Sequence, residues 1–189
     1  MTETRERVAQ TDAAAIACSL RDPEAFVVVF ERHFSPIHRY LRVRVGTADA
    51  DDLAAQVFEV AFRRRADYRR ETADARPWLF GIATKLASDH RRRQRRGVAA
   101  LGRLLARDAE RPAAADEPVD GSELREALAS VRPEDRDLLF LHACLELTYE
   151  ECAVALALPI GTVRSRLHRA RARLRRELES GLQMEEARG

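Results

Sequence analysis

Residues that make tight turns or cross-links are scarce in this chain. Eight glycines and seven prolines among 189 residues argue against an all-β fold, which needs turn residues at short, regular intervals. The three cysteines, Cys18, Cys144 and Cys152, are odd in number and form no Cys-x-x-Cys pair, so neither a disulfide framework nor a zinc ribbon is indicated. His142 lies near Cys144 and Cys152, but all three sit in apolar helical contexts where a thiol acts as a small hydrophobe, so no metal and no cofactor are expected. Apolar runs fall far short of the roughly 20 residues that span a bilayer, and MTETRERVAQ leads into no apolar signal core, which predicts a cytoplasmic chain without membrane insertion. Catalytic signatures are missing as well: there is no phosphate-binding loop, dinucleotide-binding glycine pattern, HExxH or GxSxG. Hence no catalytic residues and no small-molecule substrate are expected, and a nucleic-acid enzyme lacks its metal ligands or activated nucleophile. Aromatics make up only 6%, which suits two small cores better than one large one.

What is present favours helix. Hydrophobic residues at 46% exclude disorder as the main state, and alanine and arginine, 32 of each, are both good helix formers. Lys85 is the lone lysine, so nearly every positive charge has a fork-shaped head suited to phosphate and guanine. Helical periodicity is strong over residues 22–96, fades over 97–121 and returns over 122–180. The expected fold class is therefore all-α: two small helical domains on a flexible linker, the C-terminal one a helix-turn-helix. Residues 1–21 read as a poorly ordered extension and 181–189 as a tail. The linker contains Pro112 and Pro118, with room for a short helix around Leu101 to Arg107.

In the first domain, Asp22-Pro23 signals a helix start, and Phe26, Phe30, Phe34, Ile37 and Leu41 recur on one helical face. After Gly46, a second helix carries Leu53, Val57, Phe58 and Ala61 inward, with Asp49, Asp51 and Asp52 in its first turn, where the dipole favours anions. A third runs from Pro77 to about Arg96, with Leu79, Ile82, Ala83 and Leu86 as its stripe. In the second domain, helices open at Ser122 and Pro133, and Thr148 to Glu151 form a capping box for a short helix. A turn at Leu158 to Gly161 then leads to Thr162, read as the N-cap of a final helix carrying Val163, Leu167, Ala170 and Leu174 inward. A short helix, a four-residue turn and a longer helix make a helix-turn-helix.

Charge is unevenly placed. Residues 63–70, 85–96 and 164–176 carry +4, +5 and +7, which leaves −14 on the rest of a chain whose net charge is +2. A solubility surface intersperses both signs, whereas three cationic patches attract a polyanion. Membrane lipid is the competing polyanion, but the apolar stripes of these helices are committed to cores, which favours nucleic acid. At 100° per residue, Ser165, Arg169 and Arg176 lie opposite the Val163 stripe, flanked by His168 and Arg173, while Arg164 and Arg166 sit at its edges. On the third helix the outward arc holds Thr84, Ser88, Arg91 and Arg95, beside Gly81, Lys85 and Arg92. His90 falls on the buried side, and Asp89 at the margin calls for a nearby Arg as partner.

Taken together, these segments resemble a bacterial sigma factor of the extracytoplasmic-function group. DADDLAAQVFEVAFRR resembles the helix that docks on the RNA polymerase β′ coiled coil, ARPWLFGIATKLASDHRRRQRR the minus-10 reading segment, and LTYEECAVALALPIGTVRSRLHRARARLR the minus-35 helix-turn-helix. The resemblance implies that Asp51, Asp52, Leu53, Gln56 and Phe58 dock on polymerase. It also implies that the loop Ala66 to Asp74, with Tyr68, Arg69 and Arg70, captures a flipped base, and that Arg76, Trp78, Lys85, Ser88, Arg91, Arg92 and Arg95 complete the minus-10 site. Trp78 is read either as packing or as a DNA contact. Thr162, Arg164, Ser165, Arg166, His168, Arg169 and Arg173 would meet the minus-35 element. Implied partners are core polymerase through its β′ coiled coil and β flap, double-stranded and melted promoter DNA, and an anti-sigma factor. The chain departs from the family at Ala55-Gln56, where Gln-Glu is usual, at Lys85, where Asn is usual, and at Gly81, where a larger polar residue is usual. A helix-turn-helix regulator without polymerase docking is the alternative; it should dimerise, yet the chain shows no dimerisation heptads.

Overall fold

The computed structural model describes residues 11–68, 73–105 and 122–186, and the chain divides into two compact units, Met1–Ala113 and Ala114–Gly189. The first contains α1 (Asp12–Ser19), a 3-10 turn (Pro23–Phe26), α2 (Val27–Val45), α3 (Thr47–Arg63), a second 3-10 turn (Arg65–Asp67) and α4 (Arg76–Leu105). The second contains α5 (Ser122–Ser130), α6 (Pro133–Ala143), α7 (Tyr149–Leu156) and α8 (Ile160–Glu186). Every element among the described residues is helical.

In the first unit, α2, α3 and α4 pack mutually around Val29, Ile37, Tyr40, Leu41, Val57, Leu79 and Ala83, all without solvent exposure. Fully burying an aliphatic side chain contributes about 1.5–3 kcal/mol, so this small set supplies much of the unit's cohesion. The Tyr40 ring meets Phe80 edge-on, and its hydroxyl shares a 3.0 Å hydrogen bond with Thr84. Thr84 is thus a buried partner of Tyr40 and not part of the outward arc the helical angles suggested. The reversal between α2 and α3 is made by Gly46 at φ +89°, a conformation open to glycine and strained for other residues.

Three expectations need correction. Residues 1–21 are not a loose extension throughout: α1 is capped by Thr11, whose Oγ1 accepts from Ala14 N–H, and it buries Ala15 and Ile16. Its first residue, Asp12, is buried and accepts hydrogen bonds from Arg32 (2.8 Å), His33 Nε2–H (2.7 Å) and Ala75 N–H (2.9 Å). Burial alone would raise the Asp12 carboxyl, but these donors outweigh it and hold the group far below the usual carboxylate range. Second, α4 does not stop near Arg96 but continues to Leu105, so helix occupies the first part of the expected linker; the remainder of the short helix placed at 101–107 lies outside the described residues. Third, α8 runs to Glu186, past the expected boundary at 180. No proline interrupts either extension, so the backbone ladder continues.

The second unit wraps α5, α6 and α7 around α8, with Leu138, Leu141, Leu147, Cys152, Val163 and Leu167 at its centre. The Thr148 and Glu151 capping box is formed at both hydrogen bonds, 3.1 and 2.8 Å. His142 and Cys152 both satisfy the Leu147 carbonyl, at 2.7 and 3.8 Å, and burial, aided by the Glu151 charge, pushes the Cys152 thiol up to about 11. After α7 the chain reverses through Ala157 in the left-handed region at φ 51°. The carbonyl of Pro159 then accepts both Thr162 N–H and Val163 N–H, so α8 starts at Ile160. Thr162 is therefore inside the first turn and is not the N-cap: the Pro159 carbonyl already closes the first helical hydrogen bonds ahead of it.

A left-handed alanine costs about 1–2 kcal/mol, more than the roughly 0.5–1 kcal/mol of chain entropy that glycine gives up. Ala157→Gly is accordingly expected to stabilise the protein by about 0.5–1 kcal/mol, seen as a higher denaturant midpoint at unchanged slope.

Candidate nucleic-acid interface

On α8 the apolar positions Val163, Leu167 and Ala170 point inward at 0–3% exposure, which forces the intervening residues outward. Arg164, Ser165, His168, Arg169 and Arg173 are exposed, as are Arg171, Arg175 and Arg176. Ser165 donates to the Thr162 carbonyl at 3.1 Å, Arg173 Nε–H donates to Ser130 at 3.3 Å, and Arg164 lies 6.0 Å from the Tyr149 ring. Thr162 is half-buried at the foot of this face.

Arg166 departs from the expected arrangement. Its Nε–H donates to Asp135 at 2.6 Å and its side chain is only 17% exposed, so it is an internal strut and not a free DNA-facing arginine. The cause is its place at the edge of the apolar stripe, within reach of the first turn of α6. Arg132 binds the other Asp135 oxygen at 2.7 Å. Burial would raise the Asp135 carboxyl; the hydrogen bonds and charges of Arg166 and Arg132 hold it below its ordinary value.

The outer side of α4 presents Lys85, Ser88, Arg92, Arg93, Arg95 and Arg96, all exposed, with Arg91 half-buried. Arg92 pairs with Asp89, as the margin position of that acid required. His90 donates to Asp49 at 3.1 Å and Gln94 joins the same carboxylate, so the start of α3 is pinned to α4. Arg76 is bound to Asp74 at 2.7 Å. Tyr68 differs from expectation: it is 7% exposed, its ring packs 5.0 Å from Trp78, and its hydroxyl donates to the Asp74 carbonyl. A free stacking surface for a base is thus not provided by Tyr68, because an apolar neighbour one helical turn into α4 captures it. Trp78 packs on Tyr68 with one side and stays half-exposed on the other, an arrangement compatible with both of its readings. Arg69 and Arg70 lie outside the described residues.

On α3, Asp52 and Gln56 are exposed, and Asp51 is exposed while accepting from His38 at 2.7 Å. Leu53 and Phe58, at 2% and 5% exposure, belong to the core and cannot dock a partner directly. Their helical phase matches Val57 and Ala61, both fully buried. Sequence reasoning missed the apolar surface nearby: Phe30 is 41% and Val27 42% exposed, and the Phe30 ring lies 4.9 Å from that of Phe58. The helical stripe treated Phe30 as core, although a fifth large residue on one face exceeds what α3 covers. Among the described residues, Asp12, His33 and Asp74 form one cluster with metal-ligand spacing, but Arg32 and Arg76 already neutralise its carboxylates.

A helix-turn-helix with an outward arginine face, joined to a helical unit whose longest helix is cationic, defines a two-module DNA-binding protein. The Sigma-70 region 2 family profile matches residues 29–97 and the Sigma-70 region 4 profile matches residues 122–174. Relatives include the sigma factor SigE of Mycolicibacterium smegmatis, 37% identical over 76% of this chain and 58% of that protein, which is therefore considerably longer than the matched stretch. SigD of Mycobacterium tuberculosis is 30% identical over 94% of this chain and 87% of that protein, and CarQ of Myxococcus xanthus 33% identical over 87% and 95%. Solved structures with this fold include CnrH in complex with the cytosolic domain of CnrY, at TM-score 0.65, 23% identity and coverage of 89% of this chain and 97% of that one. The sigma factor RpoE of Bartonella quintana, in complex with the anti-sigma factor NepR, gives TM-score 0.63 at 22% identity, covering 82% and 96%. The chain belongs to the extracytoplasmic-function RNA polymerase sigma factors. It is a transcription initiation factor acting with core polymerase at promoters, and the region 2 match is what a regulator without polymerase docking lacks. No helix among the described residues is long and apolar enough to cross a membrane.

Because the Asp135 carboxyl is lowered in the folded state, its stabilisation is present above the unfolded aspartate value of about 3.9 and is lost as pH falls through the folded one. Asp135→Asn is expected to cost about 3 kcal/mol at pH 7, since it leaves Arg166 buried without its counter-charge. The gap between variant and parent should narrow near pH 3, measured by denaturant titration at both pH values.

Proposed function

We propose that the second unit reads the minus-35 element as duplex through the exposed α8 face, with Arg164, Ser165, His168, Arg169 and Arg173 in contact with DNA and Arg166 orienting the helix from behind. The supporting observation is the separation of faces on α8: an apolar stripe at 0–3% exposure on one side and a row of exposed arginines on the other. An arginine aimed at a guanine edge gives sequence discrimination, whereas those along the sides contribute phosphate affinity. The first unit docks on polymerase through the exposed Asp51, Asp52 and Gln56 of α3, with the Val27 and Phe30 surface beside them. Its α4 meets the melted minus-10 strand through Lys85, Ser88, Arg91, Arg92 and Arg95, with Arg69 and Arg70 from the preceding loop and Arg76 and Trp78 at the helix start.

The protein performs no bond chemistry itself and acts in the cytoplasm, where its polymerase is. CnrH and RpoE are each seen in a complex with a protein partner, which supports an anti-sigma factor as inhibitor of this chain too. Adding the protein to core polymerase on promoter DNA should yield specific transcripts; background initiation alone, without co-purification with polymerase, would refute the assignment. Arg169→Ala is expected to lose about 1–3 kcal/mol of discrimination at one minus-35 base pair, read by competition between matched and substituted promoters. Polymerase affinity in the same variant should not change.

A further inference from the structure

Helix α1 touches the first unit at two places that are far apart in sequence but adjacent to the same segment. At its C-terminal end the Ser19 carbonyl accepts from Arg65 Nε–H at 3.3 Å, in the 3-10 turn that follows α3. At its N-terminal end Ala13 N–H reaches the Ala73 carbonyl at 3.4 Å, and the Asp12 carboxylate accepts from Ala75 N–H at 2.9 Å, one residue before α4. The helix thus braces both flanks of the stretch that carries Arg69 and Arg70. Its anchor is stiff because Asp12 is buried and is held from behind by Arg32 and His33 of α2. Asp74, next in line, caps Arg76 N–H at 2.8 Å, so Asp12 and Asp74 together set where α4 begins. Trp78 follows within one turn, against Tyr68.

We propose that Asp12 is a positioning residue for minus-10 recognition: through Ala75 it fixes the start of α4, and so the placement of Trp78 and the cationic face on the melted strand. The inference rests on the reading of α4 as the minus-10 helix. Asp12 touches no DNA itself: its carboxylate is buried and already accepts three hydrogen bonds from within the unit.

The test uses the full chain bound to core polymerase. Asp12→Ala removes the acceptor, while Asp12→Asn retains one oxygen for Ala75 N–H. Holoenzyme affinity for a single-stranded minus-10 oligonucleotide is expected to fall about tenfold in Asp12→Ala and less in Asp12→Asn, a loss in keeping with misplacement of a binding group. Core polymerase affinity should stay within about twofold, since α3 is held independently by α2 and α4. In the free protein, emission of Trp78, the single tryptophan of this chain, should shift in Asp12→Ala. Parallel loss of polymerase affinity and strand affinity, or an unchanged strand affinity, would overturn the proposal. Should Asp12→Ala fail to fold by thermal melting, Asp12→Asn and Arg32→Gln carry the same comparison. Lys85→Ala and Arg92→Ala separate the two ideas: if α4 does not read the strand, both leave its affinity intact, whereas an error confined to Asp12 leaves both impaired.

Discussion

A buried aspartate that accepts hydrogen bonds from separate segments of the chain is the interaction on which both units depend. Asp12 joins α1, α2 and the start of α4; Asp135 joins the first turn of α6 to α8. In each case a helix heavy with arginine must be seated in one rotation, with its apolar stripe inward. Hydrophobic burial alone sets that rotation loosely, because the stripes are built largely of alanine, valine and leucine and slide against each other at small cost. A carboxylate with two or three directed donors has one geometry, and leaving a buried charged donor such as Arg166 unpaired carries a penalty of several kcal/mol. The acids therefore convert a greasy contact into a defined orientation.

Charge is sorted by the same device. Arg166, Arg32 and Arg65 turn inward and bind acids, carbonyls or rings, while Arg169, Arg92 and Arg95 have stripe neighbours that turn them outward. The patches that face a polyanion are thus built mainly of arginines whose side chains stay exposed, some of them paired locally as Arg92 is with Asp89. The acidic remainder of the chain, exposed on α3 at Asp51, Asp52 and Glu59, keeps those patches distinct and confines the attractive field to selected faces.

Local patterns made the second unit readable. The capping box at Thr148, proline at the start of α6 and the stripe from Val163 need only a few neighbouring residues, and each formed. Long-range pairings did not declare themselves. Asp12 meets partners 21 and 63 residues away, and its short alanine-rich helix has no stripe to announce it. Arg166 looks like its exposed neighbours until Asp135, 31 residues earlier, is brought alongside. For Leu53 and Phe58 the resemblance implies docking while their own periodicity places them inside, and both side chains are buried as the periodicity requires. Thr84 and Tyr68 were turned inward by tertiary partners, Tyr40 and Trp78, which helical angles alone do not reveal.

The exposure of Lys85 has a chemical consequence of its own. Guanidinium groups do not acylate under conditions that modify primary amines, and this chain holds a single lysine. Its one side-chain amine stands uncovered on the α4 outer face, about two helical turns before the five arginines between Arg91 and Arg96. An acyl group transferred to side-chain nitrogen, whether by an enzyme or by a metabolic thioester, would land at this one place. It would replace a point charge with a neutral amide on that face and leave every guanidinium around it untouched.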